Sequence, residues 1–204
     1  MKYQDYKYYF FIGIGGIGMS SLAKYLKLKN KKIAGYDREK TEISKNLEKA
    51  GIDIIYNYDF DNINQNYKNC ELTLVVYTPA ISDDDIIFKF FRNSNFVMIK
   101  RSDLLASIVN DNFSIAIAGT HGKTTITAIL SHIMSYSKLN YTAFIGGVSN
   151  YNNSNLIYNG DEIFIVEADE FDKTFLKLEP DIICINNIDG DCLLYTSPSP
   201  RDEQ

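Results

Sequence analysis

The stretch Ser114-Ile-Ala-Ile-Ala-Gly-Thr-His-Gly-Lys-Thr-Thr-Ile-Thr-Ala-Ile-Leu130 constrains this 204-residue chain more than any other. An apolar run rich in Ile and Ala meets Gly119, and apolar residues then recur at Ile126, Ile129, Leu130 and Ile133, which predicts strand, tight turn and helix. Gly119 and Gly122 carry no Cβ, so backbone N–H groups can close around an anion at the helix N-terminus, where the helix dipole also favours negative charge. Lys123 adds a point charge, and Thr124 offers the hydroxyl that a phosphate-bound Mg²⁺ takes as a ligand. The turn therefore reads as a phosphate cradle made of Gly119, Thr120, His121, Gly122, Lys123, Thr124 and Thr125. Its spacing departs from the common P-loop, because two residues rather than four separate the glycines and Ile117 stands where a glycine is expected. The plainer alternative is a Gly-rich turn with a surface lysine; the strand and helix on either side favour the cradle.

A second glycine turn lies about a hundred residues earlier. Tyr8-Tyr-Phe-Phe-Ile12 reads as a buried strand and runs into Gly13-Ile-Gly-Gly-Ile-Gly-Met-Ser20, in which Gly13, Gly15 and Gly18 satisfy G-x-G-x-x-G. Leu22, Ala23, Tyr25 and Leu26 continue as a helix, and the strand Lys32-Ile-Ala-Gly-Tyr36 ends in Asp37, where a dinucleotide fold places an acid against a ribose hydroxyl. The unit is Rossmann-like. Taken alone, this fingerprint favours NAD, fits any diphosphate nucleotide, and is also compatible with a turn used only for close helix–strand packing.

Further βα alternation follows: helix Ile43 to Ala50, strands Ile52 to Tyr56 and Leu72 to Tyr77, helix Ile86 to Phe91, strand Phe96 to Ile99 and helix Asp103 to Val109. The turn Thr78-Pro-Ala80 falls at the C-terminal end of its strand, where ligands of parallel sheets collect. Ser82-Asp-Asp-Asp85 reads as a helix N-cap with acids on the favourable dipole end, in preference to a metal site. Asn110-Asp-Asn112 marks a domain boundary. Tyr141 to Gly147 reads as strand and turn, and Tyr151 to Asn155 as a polar loop. Glu162 to Val166 is a buried strand that delivers Glu167-Ala-Asp-Glu170 at its tip, where a second Mg²⁺ contact is expected of a phosphate-loop domain. Glu167 is the candidate among Glu167, Asp169, Glu170 and Asp172; any one of these could equally be a surface acid or a cap. Asp181 to Ile185 is one more strand.

Bulk properties narrow the field. A chain of 45% hydrophobic and 23% charged residues with net charge -5 is soluble and globular, and it argues against a nucleic-acid-binding surface. The basic patch Lys27-Leu-Lys-Asn-Lys-Lys32 reads as a solvated helix end. The N-terminus lacks an apolar signal-peptide core and no apolar run is long enough to span a bilayer, so the expected location is cytoplasmic, with no membrane partner. Cys70, Cys184 and Cys192 have neither metal-ligand spacing nor an even count.

Two cradles a hundred residues apart, the second followed by Glu-Ala-Asp-Glu, resemble the Mur ligases of peptidoglycan synthesis. The resemblance rests on Gly13 to Ser20, Ala80-Ile-Ser82, Lys100-Arg-Ser-Asp-Leu-Leu105, Ala116 to Thr125, Glu167-Ala-Asp-Glu-Phe-Asp172 with Phe175-Leu176, and Asn187-Ile188. It implies an α/β chain with a Rossmann-like UDP-substrate domain (1–109) followed by an incomplete central P-loop ATPase domain (110–191). It assigns Gly15, Gly16, Ile17, Gly18, Met19 and Ser20 to the substrate diphosphate, Asp37 to the uridine ribose and Thr78 to the same substrate. It assigns Gly119 to Thr125 to ATP, Thr124 and Glu167 to Mg²⁺, and catalytic roles to Lys123 and Glu167. The implied reaction is phosphorylation of the lactyl carboxylate of UDP-N-acetylmuramate by ATP, attack of the L-alanine amine on the acyl phosphate, and loss of phosphate.

The resemblance stops near the end. The family continues with an Asp-His pair, whereas Asp191 is followed by Cys192, and Leu193 to Gln204 matches nothing in the family; residues 192–204 are read as foreign to it. The chain as given is expected to bind the UDP-sugar weakly at best, not to turn over, and to expose an apolar sheet edge. Within the family, a ligase that recycles intact peptides shares these motifs. From another class, an NAD-binding oxidoreductase or regulatory module explains Gly13 to Gly18 and Asp37 but not the second cradle.

Overall fold

The computed structural model describes residues 3–58, 60–149, 154–168 and 174–188. The readings of Asp169, Glu170, Asp172 and residues 192–204 lie outside the described residues. Two five-stranded sheets follow one another along the chain.

The first holds β1 (Tyr8–Ile12), β2 (Lys32–Tyr36), β3 (Asp53–Ile55), β4 (Thr73–Tyr77) and β5 (Val97–Lys100) in the order β3-β2-β1-β4-β5, with every pairing parallel. Strands covered on both faces read as near-continuous apolar runs, and β1 and β4 do. On one face Phe10, Ile12, Val75 and Tyr36 pack with Ile87, Phe88 and Phe91 of α3 (Ile86–Asn93). On the other, Tyr9, Phe11 and Val76 pack with Leu22 and Leu26 of α1 (Ile17–Leu28) and Leu104 and Ile108 of α4 (Arg101–Val109). Helix α2 (Glu42–Lys49) starts at a capping box in which Thr41 and Ser44 satisfy each other's backbone N–H. Asp85 caps α3, accepting from Ile87 N–H at 2.9 Å and Phe88 N–H at 3.1 Å, as expected for that acidic run. Among the described residues no cluster of three or more His, Cys, Asp or Glu could hold a metal, and no helix is long and apolar enough to cross a membrane.

The second sheet holds β6 (Phe113–Ala118), β7 (Tyr141–Ser149), β8 (Ser154–Tyr158), β9 (Ile163–Glu167) and β10 (Ile182–Ile185) in the order β10-β6-β9-β7-β8, parallel except for the β7–β8 pair. Helix α5 (Lys123–Ser135) covers one face, over Ile117, Ala143, Ile145 and Ile165. Two expectations are corrected. The stretch read as strand and turn at Tyr141 to Gly147 is strand throughout, and Ser154–Tyr158, whose first residues were read as loop, is strand β8. Its pairing with β7 orders the polar start, Ser154 and Asn155, of a strand that continues as Leu156-Ile157-Tyr158.

Helix α1 joins the sheets. It packs beneath β7 and β8 of the second as well as against the first, and Tyr25 sets its ring edge-on to Phe144 (5.5 Å) and Phe164 (6.0 Å). The Tyr25 hydroxyl donates to Asp161 at 3.0 Å, and Lys29 forms an ion pair with the same carboxylate.

Candidate functional site

Both glycine turns lie at the C-terminal ends of the parallel strands, where successive backbone amides point out of the sheet. In the first, Gly13 and Ile14 donate to Tyr36 O at 2.8 and 3.1 Å, which locks the loop onto the end of β2. Gly16 caps α1, and Asp37 accepts from Gly15 N–H at 2.6 Å. The carboxylate thus closes on the loop from the β2 side. Thr78 stands across the same crevice, its methyl 3.5 Å from where a Cβ on Gly13 would be. Ile17 and Gly18 begin the first turn of α1, while Met19 and Ser20 are buried. The Ser20 hydroxyl donates to Ile17 O at 2.9 Å, so its side chain serves the helix.

In the second turn, Gly122 caps α5 with φ of +80°, a left-handed conformation that a side chain resists, and Gly119 also has positive φ at +136°. Lys123 curls its ammonium over the loop carbonyls, donating to Gly119 O at 2.5 Å and Thr120 O at 3.5 Å. Asn186 and Asn187, just beyond β10, brace the loop. Asn187 accepts from His121 N–H at 3.0 Å and Asn186 donates to His121 O at 2.8 Å. Thr125 follows in the first turn of α5, exposed.

Glu167 ends β9 against this loop. Thr124 donates its hydroxyl to Oε2 at 3.0 Å and Gly146 donates its N–H to Oε1 at 2.6 Å. A Cβ on Gly146 would lie 2.4 Å from Glu167 Oε2, so only glycine lets β7 come this close. A hydroxyl and a carboxylate side by side at a phosphate-type loop are a hard-oxygen pair, which suits Mg²⁺. Lys123, Thr124 and Glu167, singled out from a motif and a strand tip, lie next to one another in the structure.

The two turns share a cavity of about 220 Å³, lined by Gly18, Arg101, Lys123, Gly146 and Glu167 among others. Two residues at this junction went unassigned from sequence. Arg101, the first residue of α4, extends into the cavity. Asn155 of β8 is 2% exposed and donates to Ile17 O at 2.6 Å and Ser20 Oγ at 2.7 Å while accepting from Lys24 at 2.9 Å. Burial depresses the Lys24 pKa. Arg101 was visible only as part of a motif, and Asn155 was hidden in a segment read as loop.

Two α/β units, each with a glycine turn at a helix N-terminus and meeting at one cavity, define a protein of the α/β class with largely parallel sheets. A sequence profile described as Mur ligase family, catalytic domain, matches residues 8–113, more than half of the chain. The chain belongs to the Mur ligase family. It is 47% identical over 188 residues to a UDP-N-acetylmuramate--L-alanine ligase of Christiangramia forsetii, covering 92% of this chain and 42% of that protein. It is 46% identical to the enzyme of the same name from Flavobacterium johnsoniae, covering 90% and 41%. Among solved structures, UDP-N-acetylmuramate-alanine ligase from Thermotoga maritima superposes with a TM-score of 0.75 at 27% identity, covering 93% of this chain and 44% of that one. UDP-N-acetylmuramate:L-alanyl-gamma-D-glutamyl-meso-diaminopimelate ligase from Neisseria meningitides gives 0.80 at 26%, covering 95% and 64%. The chain thus spans about 41–42% of these curated relatives' length.

Proposed function

We propose that this chain is the UDP-sugar-binding and phosphate-loop part of a ligase that uses ATP to join L-alanine to the lactyl carboxylate of UDP-N-acetylmuramate. Residues 1–109 form the UDP-substrate domain and 110–191 the first part of the ATP-binding domain. The observation that carries the reading is the convergence of Thr124, Gly146 and Glu167 beside Lys123, on the cavity that also receives the first turn of α1.

In this reading the amides of Gly15 to Gly18 and the α1 dipole hold the diphosphate, and Asp37, already bound to Gly15, turns to the ribose hydroxyls. Gly119 to Thr125 hold the ATP phosphates. Lys123 moves from the loop carbonyls to the β- and γ-phosphates and neutralises charge that grows as the phosphoryl group transfers to the carboxylate. Thr124 and Glu167 are the residues that would hold Mg²⁺, which when bound neutralises phosphate charge. The L-alanine amine then attacks the acyl phosphate and phosphate leaves; the chemistry needs positioning and charge neutralisation more than a protein nucleophile. The place of action is the cytoplasm, where ATP is available.

A titration of the chain with UDP-N-acetylmuramate and with NADH tests this. A response to the UDP-sugar and none to NADH is expected; tight NADH binding with no UDP-sugar response overturns the reading in favour of a nicotinamide-binding module. The superposition on the Neisseria protein favours a second reading, a peptide-adding ligase on the same UDP-sugar, which shares every step except the incoming amine.

A further inference from the structure

We infer that Arg101 is the side chain that binds the carboxylate of the acid substrate and presents it to the transferring phosphoryl group. The inference rests on the ligase reading above.

Arg101 leaves the sheet at the end of β5, on the same edge as the first glycine loop, and its guanidinium lies against the first turn of α1. A Cβ on Gly18 would be 2.5 Å from Arg101 Nη1. Its Nη2 donates to Thr174 Oγ1 at 3.4 Å, a long contact that orients the fork. There it lines the cavity that Lys123 and Glu167 of the second unit also line. One cation therefore comes from each unit. Glu167 is engaged by Thr124 and Gly146, on the phosphate-loop side.

A ligand whose diphosphate rests on Gly15 to Gly18 and whose far end reaches toward Lys123 must pass the guanidinium. The acid group of such a ligand is the part that meets the phosphoryl donor. A guanidinium fork binds a planar carboxylate through two parallel N–H···O bonds, which fixes orientation as well as charge. In the ligase reading Lys123 serves the ATP phosphates, and Arg101, against the first turn of α1, is the cation that the first unit brings to the cavity.

The test compares two ligands that differ only at the carboxylate: UDP-N-acetylmuramate and UDP-N-acetylglucosamine, the same nucleotide sugar without the lactyl ether. Calorimetric titrations use the unmodified chain, Arg101→Ala and Arg101→Lys, with thermal melts to verify that each variant is folded. The unmodified chain should prefer the acid by about tenfold or more, the worth of a charge-assisted hydrogen bond. Arg101→Ala should abolish the preference while keeping UDP-N-acetylglucosamine affinity within about twofold, and Arg101→Lys should restore only part, because an ammonium is a point charge. Retention of the preference in Arg101→Ala, equal weakening of both ligands, or no preference in the unmodified chain overturns the assignment. Tight binding of NADH with no response to either sugar overturns the ligase reading itself, a result distinct from all three.

Discussion

The two halves of the molecule carry the same device, a glycine turn at the end of a parallel strand, on very different supports. The first sheet is covered on both faces, and its turn is braced from within by β2 and Asp37. The second turn is braced by Asn186 and Asn187 at the end of β10, an edge strand whose residues are all exposed, Ile185 at 59%. Helix α5 carries apolar residues on both faces: Ile126, Leu130 and Met134 pack on the sheet while Ile129 and Ile133 face outward beside Thr125 and His132, Ile133 at 60% exposure. Equal motifs therefore do not imply equally self-sufficient folds; the cradle is local, but its support is a matter of sheet closure.

Alkaline pH should produce the largest contrast. Burial pushes the Tyr67 hydroxyl up to about 12, and burial raises Tyr9, Tyr25 and Tyr36 further, with Asp5 beside Tyr9, Asp161 beside Tyr25 and a hydrogen bond to Tyr58 beside Tyr36. Tyr9, Tyr36 and Tyr67 belong to the first unit, and Tyr25 of α1 sits where the two units meet. A raised tyrosine keeps its full stabilisation below the unfolded value near 10 and loses it as pH rises, because the unfolded chain ionises first, at a rate on the order of 1.4 kcal/mol per ring per pH unit. Urea unfolding midpoints should be level to about pH 9.5 and fall steeply through pH 12. A level profile through pH 12 would contradict the buried environment of these rings.

Matched truncations sharpen the comparison. Phe91 is fully buried against Phe10, Phe90 and Phe96, so Phe91→Ala should cost about 3–5 kcal/mol in chemical denaturation. Ile133→Ala on the outer face of α5 should change stability by less than about 0.5 kcal/mol. Similar costs at both positions would mean that α5 is covered in solution. Asn155→Ala should fall between, at about 1–3 kcal/mol, because it strips partners from Ile17 O, Ser20 and Lys24 at once. Its signature is a split transition in which the second sheet melts before the first, and a single unshifted transition would show that α1 does not depend on this contact.

Much of this was legible in the sequence, and what was missed has physical causes. Strands β1 and β2 fall on Tyr8–Ile12 and Lys32–Tyr36 as their apolar runs imply, because fully buried parallel strands write themselves as continuous runs. Glu167, Thr124 and Lys123 were foreseeable as a group because strand tip, turn and helix start are each local signals. Strand β8 was not, since its order comes from pairing with β7 and from Asn155 reaching α1, 138 residues away in sequence at Ile17. Gly146 and Gly147 look like a turn but lie in strand β7, and they are glycines because a Cβ would meet Glu167 at the first and the Thr124 methyl at the second. Arg101 is seen only when α4 and α1 are placed side by side.

Helix α1 is common property of the two sheets: its first turn continues the first glycine turn, and its flank is the floor of β7 and β8. Any ligand that reseats that first turn also alters how the second sheet rests on it. Affinity at one cradle is then thermodynamically linked to affinity at the other, and linkage is reciprocal, so whatever factor the first ligand confers on the second must be returned in full.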